Sequence, residues 1–120
     1  MTVRIAILDG RPARIDMPPG FAAREFGSTV LMYDSAAPIC DLGRAMIVGW
    51  AFRSNGFEPC DQLEQVEIDA IVRSGGAWAI RNLWGNYLLL WADAEDRVRI
   101  LRSPVTGPAL FYVPASTRHP

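Results

Sequence analysis

Side chains that could do chemistry are few in this chain, beginning with two cysteines and one histidine. His119 is the only histidine. One histidine does not build a zinc site, and no Gly-x-Ser-x-Gly elbow accompanies it for a serine triad. Cys40 and Cys60 form no CxxC pair. Cys60 precedes a predicted helix, whose N-terminus could favour a thiolate, but no positive residue adjoins it. A buried, neutral cysteine is therefore the favoured interpretation.

The carboxylates Asp93, Glu95 and Asp96 and the stretch Ser74-Gly75-Gly76 are further candidates for a site. The carboxylates could form an acid/base pair, but a solvated hairpin turn explains them better. Ser74-Gly75-Gly76 has the composition of a phosphate-binding loop. Such a loop follows a strand and opens a helix, whereas this one follows a predicted helix. We therefore interpret the two glycines as a helix cap.

Length and composition limit the classes of protein that this chain can belong to. At 120 residues it is one domain, and half of its residues are hydrophobic, which is enough for a core. The net charge of −1 gives no field that would attract nucleic acid or an anionic membrane. All twelve basic residues are arginine, which we attribute to codon usage. The N-terminus lacks the pattern of a signal peptide, so we expect a cytoplasmic protein.

Local patterns predict the elements of the first half of the chain. Apolar, β-branched runs predict strands at 3–8, 29–33 and 45–52. The third run is apolar almost throughout, which indicates burial on both faces. Prolines and glycines predict a loop over 12–29, and a second loop is predicted over 34–43.

One main helix is predicted over Asp61–Arg73, with Asp61 as cap and Glu64 completing a capping box. Residues 77–83 could add one or two helical turns. Three strands then follow, the first two joined by a hairpin at residues 92–96. The tryptophans and Phe111 are predicted to lie in the core, and the alternative is that one or two of them are exposed and mark a partner surface. Together these elements predict an α+β fold with antiparallel β-sheets and one main helix.

The last third of the chain is its most distinctive part. Trp84-Gly85-Asn86-Tyr87 opens a long apolar strand, Asp93 follows at the hairpin, and Arg102 and Gly107 bracket the next loop. This order resembles the glutaminase domain of asparagine synthetase-like proteins, a class II glutamine amidotransferase domain. It is most similar to the N-terminal domain of lasso-peptide cyclases.

The resemblance assigns structural roles to five residues and implies a fold. The residues that match the family are Gly49, Gly85, Asp93, Arg102 and Gly107. The implied fold is a trimmed N-terminal nucleophile hydrolase-like fold of αββα type. It would form a single glutaminase-like domain over residues 1–113, followed by a loose tail or linker at 114–120.

The resemblance also implies that the family's reaction is absent. That reaction needs an N-terminal thiolate, with the α-amine as base, and an asparagine oxyanion donor in an Asn-Gly-Glu stretch. Here Thr2 follows Met1, and Val48-Gly49-Trp50 occupies the second motif. Thr2 could act as a nucleophile only after removal of Met1, and the asparagine donor is missing too. We therefore expect no glutaminase activity.

The function implied by the resemblance is that of a catalytically inactive domain in a bacterial, ATP-dependent amide-forming enzyme, a lasso-peptide macrolactam cyclase. The domain itself would need no cofactor. ATP and Mg would belong to a synthetase domain in the same chain or in a partner. The domain would pack on that synthetase domain and hold the precursor peptide, with Trp50 and Arg53 at the contact surface.

Two other hypotheses remain open from the sequence. One is a stand-alone small binding module without enzymatic activity, which could form a homodimer through an exposed strand edge. The other is a hydrolase that uses Thr2 after processing. Neither hypothesis involves nucleic acid, a membrane or a metal.

Overall fold

The structure is a computed structural model that describes residues 4–9, 19–27, 29–54, 59–60, 62–95, 97–104 and 109–113. Within these ranges the chain forms strands and two helices. In chain order they are β1 (Arg4–Asp9), β2 (Phe21–Phe26), β3 (Thr29–Asp34), β4 (Ile39–Asp41), β5 (Ala45–Arg53), α1 (Gln65–Ser74), α2 (Ala77–Asn82), β6 (Leu83–Ala92), β7 (Val98–Arg102) and β8 (Ala109–Val113). The predicted α+β class is confirmed.

The strands form two four-stranded sheets. The first sheet has the order β2-β3-β1-β8 and the second has the order β4-β5-β6-β7. All neighbouring pairs are antiparallel except β1 and β8, which are parallel. The predicted antiparallel arrangement therefore holds apart from this pair, which joins the first described strand to the last across the whole length of the chain.

Two clusters of buried side chains show that the second sheet lies in the middle of three layers. One cluster joins the first sheet to one face of the second and includes Ile5, Ile7, Leu31, Val48 and Leu88. The other joins the opposite face of the second sheet to the helices and includes Ile47, Ile68, Ile71, Ala79 and Leu89. The layers are thus helices, second sheet and first sheet.

Strands β5 and β6 are apolar on both faces because each face has a layer packed against it. On β5, Val48 faces the first sheet and Ile47 faces the helices, and each is at most 1% exposed. Leu88 and Leu89 divide in the same way on β6. This arrangement confirms the prediction of burial on both faces.

Helix α1 begins later than predicted. It starts at Gln65 with Glu64 as its cap, and the Glu67 carboxylate accepts the Glu64 backbone N–H at 2.9 Å. Asp61 lies outside the described residues. The helix ends, as predicted, at the glycines: Gly75 has the left-handed conformation, at φ 64°. Helix α2 confirms the further helical turns.

Two strands occupy segments that were predicted to be loops. Phe21–Phe26 forms β2 and Ile39–Asp41 forms β4. Both are edge strands, so pairing with a stronger neighbour on one side suffices to order them. Across the described ranges, no helix has both the length and the apolar character that a membrane span requires.

Candidate functional site

The start of β1 and Gly49 lie at the same end of the two sheets. The Arg4 backbone N–H and guanidinium donate to the Asp34 carboxylate, at 2.6 and 2.7 Å, where β3 ends. The chain then turns, with the Ala37 N–H donating to the Asp34 carbonyl, and the Pro38 carbonyl accepts the Gly49 N–H at 2.9 Å. The five residues 34–38 therefore connect the start of β1 to the middle of β5. We call this region the Gly49 end.

Gly49 and Gly85 allow β5 and β6 to bend together at the Gly49 end. Their φ angles are +105° and +129°, which other residues adopt only with strain. A Cβ on Gly49 would lie 2.5 Å from the Asn86 carbonyl oxygen, and a Cβ on Gly85 would collide with the Trp50 carbonyl oxygen. Gly49 and Gly85 are thus each required by the backbone of the opposite strand.

The residues beside Gly49 fill space, and Val48, at the position of the asparagine donor, offers no side-chain hydrogen bond to an oxyanion. Val48 is fully buried between the sheets. Trp50 is half-buried and packs against the same core. An oxyanion hole needs hydrogen-bond donors aimed at the reacting oxygen, and a valine side chain has none. Thr2 lies outside the described residues.

Aromatic rings follow Gly49 along β5 and lie opposite that strand at the start of β6. Phe52 and Trp84, paired across β5 and β6, stack with ring centroids 4.6 Å apart. The Trp84 indole N–H donates to the Arg53 carbonyl at 3.2 Å, and the residue is still 44% exposed. Alternation along β5 places Trp50 on the same face as Phe52. We call Trp50, Phe52 and Trp84 the aromatic end.

The sequence predicts a core position for all four tryptophans, and for Trp84 this prediction is wrong. Trp91 is buried, Trp50 and Trp78 are half-buried, and Trp84 is exposed. Trp84 is the second residue of β6, directly after α2, where the strand extends past the layers that cover its centre. In the sequence, the feature that could have indicated this exposure is the position of Trp84 next to the end of a predicted helix.

Arg53 joins β5 to α1. Its guanidinium donates two hydrogen bonds to the Glu67 carboxylate, at 2.6 and 3.0 Å, and a third to the Gln62 carbonyl at 3.0 Å. The hydrogen bond from Arg53 is the main cause that lowers the pKa of Glu67, and Glu67 in turn raises the pKa of Arg53. The predicted contact role of Arg53 stays a prediction. These bonds already occupy much of its guanidinium.

Asp93 organises the hairpin between β6 and β7. Its carboxylate accepts the backbone N–H groups of Glu95 and Arg97, both at 2.9 Å, and the Arg97 side chain at 3.1 Å. The Arg97 backbone bond is the largest cause of its lowered pKa. Asp93 thus closes a turn, in agreement with the solvated hairpin interpretation.

The loop after β7 is anchored by Ser103, while Arg102 is exposed. Ser103 is buried; its Oγ accepts the Tyr87 N–H at 3.1 Å and its own N–H donates to the Tyr87 carbonyl at 3.0 Å. Gly107 lies outside the described residues.

The thiol and phenol beneath the helices are buried. Cys60 is 7% exposed, and its Sγ lies 3.6 Å from the Gln62 carbonyl. Tyr87 is fully buried, and burial raises its pKa to about 12. Among the described residues, no group of three or more His, Cys, Asp or Glu side chains could hold a metal ion.

Comparison with known proteins gives no relative of this chain. No family model, no curated protein and no solved structure matches it significantly. The geometry of the Gly49 end, together with the resemblance in sequence, is therefore the basis for a functional proposal.

Proposed function

We propose that this protein is a catalytically inactive glutaminase-like domain of an asparagine synthetase-like, ATP-dependent amide-forming enzyme, a macrolactam cyclase of the lasso-peptide type. One observation carries the proposal. The end of the sheets where the resemblance expects a glutamine site is filled by Val48 and Trp50 and faced with aromatic rings.

The chemistry of macrolactam formation explains why a glutaminase could lose its reaction and be retained. In such a reaction ATP would activate a side-chain carboxylate as an acyl phosphate ester, and the α-amine of the same peptide would attack its carbonyl carbon. The amide C–N bond would form, the amine would lose a proton, and the activating phosphate group would leave with the former carboxylate oxygen. The nitrogen comes from the peptide, so no ammonia is needed from glutamine. ATP and Mg would be bound by the synthetase domain, in cis or in trans, in the cytoplasm.

The aromatic end supports a contact role for the domain. Large rings that are already held in place lose little conformational entropy on binding, which is one reason why tryptophan is enriched in interfaces. Trp84 is held by the stack on Phe52 and by its hydrogen bond to Arg53. We infer that this surface contacts the precursor peptide or the synthetase domain.

The size of the native polypeptide and the behaviour of one variant pair test the proposal. An immunoblot of source cells should show a band several times larger than 13.3 kDa, or a 13.3 kDa band that co-purifies with ATP-dependent amide-forming activity. W84A should weaken peptide cyclisation by that enzyme. The control variant I100A, which truncates an exposed side chain on β7, should leave cyclisation unchanged. A free 13.3 kDa protein without such activity would contradict the proposal.

The edges of the second sheet give little support to the alternative of a homodimer. The β7 edge carries the exposed residues Arg99 and Arg102, and the β4 edge is three residues long. Charged and short edges oppose edge-to-edge pairing. A stand-alone binding module remains the second reading of this chain, and the native size distinguishes it.

A further inference from the structure

A shallow groove runs between α1 and α2 on the outer surface of the helical layer. Its volume is about 300 Å³, and its lining consists of Ala70, Arg73, Ser74, Trp78 and Arg81. The Ser74 hydroxyl accepts the Trp78 backbone N–H at 3.0 Å. The two helices are further joined by the short link through Gly75 and Gly76. The groove is therefore built on a fixed helix pair.

Two positive charges in the groove are not neutralised. Arg73 and Arg81 are both exposed, and within the described ranges neither forms an ion pair. Arg73 uses only its Nε, which donates to the Asp69 backbone carbonyl at 3.3 Å. The Asp69 side chain is itself engaged by Gln65. By contrast, Arg53 is bound by a carboxylate.

An apolar strip lies beside these charges. Val66, Ala70 and Arg73 follow one another at spacings of four and three residues, which places them on one face of α1. Val66 is 62% exposed, the highest value among the large hydrophobic residues of the described chain. Trp78, half-buried, forms the other wall of the groove.

We propose that this groove binds an acidic, partly apolar segment of a partner polypeptide. Carboxylates of the segment would pair with the forked guanidinium groups of Arg73 and Arg81, and its apolar side chains would cover Trp78 and Val66. A peptide is favoured over nucleic acid because only two arginines are present beside an apolar strip, and the chain as a whole has a net charge of −1. This inference does not depend on the aromatic end or on the proposed reaction.

The test is an NMR titration of the full ¹⁵N-labelled chain with a capped peptide of sequence Glu-Leu-Glu-Phe-Leu-Glu-Leu. Saturable shifts are expected at the Trp78 indole N–H and at the amides of Ala70 and Ser74. The double variant R73A/R81A should lower the affinity roughly 2- to 30-fold, the range for two exposed ion pairs. The control R99A/R102A removes the same charge from β7 and should leave the affinity unchanged.

Four results would overturn this inference. The first is the absence of shifts at the groove at millimolar peptide. The second is equal binding of a peptide with lysine at every glutamate position. The third is preferred binding of a twelve-nucleotide thymidine strand, and the fourth is an unchanged affinity of R73A/R81A. Because both arginines are exposed, this variant should keep the wild-type spectrum away from the groove, so loss of folding does not confuse the outcome.

Discussion

Replacing Gly49 with alanine should destabilise the protein much more than the same change at Gly43. Both glycines have positive φ angles, +105° and +80°. A Cβ on Gly43 would meet nothing within 4 Å, whereas a Cβ on Gly49 would lie 2.5 Å from the Asn86 carbonyl oxygen and 3.2 Å from the Tyr87 Cα. The pair therefore separates backbone strain from collision.

The expected magnitudes follow from these two contributions. Strain at an unfavourable φ costs about 1–3 kcal/mol, and this is the whole effect expected for G43A. In G49A the obstructing atoms belong to the backbone of β6, which cannot shift without disturbing its pairing with β5. Overpacking of this kind adds about 1–3 kcal/mol, so the total should be about 2–6 kcal/mol. For a chain of this length that loss lowers Tm by about 8–24 °C.

The assay is urea unfolding followed by tryptophan fluorescence, with calorimetry for Tm. G43A and G49A should have the same m-value as the wild type, so that their midpoints report stability alone. A free energy of unfolding for G49A within about 0.5 kcal/mol of that for G43A would refute the argument that the bend of β5 over β6 requires a glycine.

Three further variants test the surroundings of the site. Y87F should be neutral or stabilising by up to about 2 kcal/mol, because the Tyr87 hydroxyl is buried and has no hydrogen-bond partner among the residues that the structure describes; a loss above about 1 kcal/mol in urea unfolding would contradict this. S103A should cost about 1–3 kcal/mol by the same measurement, since it leaves the buried Tyr87 N–H without its side-chain acceptor, and no loss would show that the bond is dispensable. E67Q keeps a side chain that can reach the Glu64 N–H but loses the charge paired with Arg53. Because the pKa of Glu67 is lowered in the folded state, this stabilisation is present above the unfolded pKa of 4.5 and is lost as pH falls through the folded pKa. The stability gap between wild type and E67Q should therefore be open at pH 7 and close in strong acid, and a gap that does not depend on pH would contradict the ion pair.

Strong local patterns predicted much of the fold correctly. The apolar runs of β5 and β6 predicted strands buried on both faces, and the structure provides a layer on each side of them. The glycines after α1 predicted its end, because a left-handed cap leaves a local signature in the sequence.

Weak or competing local signals led to the errors. The segment Phe21–Phe26 contains two alanines and two charged residues, and it forms a strand because β3 offers an edge to pair with. The start of α1 was placed too early because Asp61 with Glu64, and Glu64 with Glu67, both fit a capping pattern. The second pair, Glu64 with Glu67, forms the capping box in the structure. Arg53, which is distant in sequence, binds Glu67 through an ion pair that joins the second sheet to α1.

The candidate site could be predicted only in part, for similar reasons. The matching positions Gly49 and Gly85 were found from sequence, but the collision that requires them arises between two strands. Likewise, the exposure of Trp84 depends on where the layers end. The position of Arg73 and Arg81 beside Trp78 in one groove depends on the angle between α1 and α2. No local sequence pattern specifies that angle.

The central claim is that the Gly49 end does not catalyse glutamine hydrolysis. The most direct test incubates the full chain with L-glutamine after mass spectrometry has established whether Met1 has been removed, and measures glutamate and ammonia. We expect no release of glutamate or ammonia above that of T2A, even with Thr2 at the N-terminus. Release of glutamate that disappears in T2A would contradict the proposed loss of activity and would establish a threonine hydrolase instead.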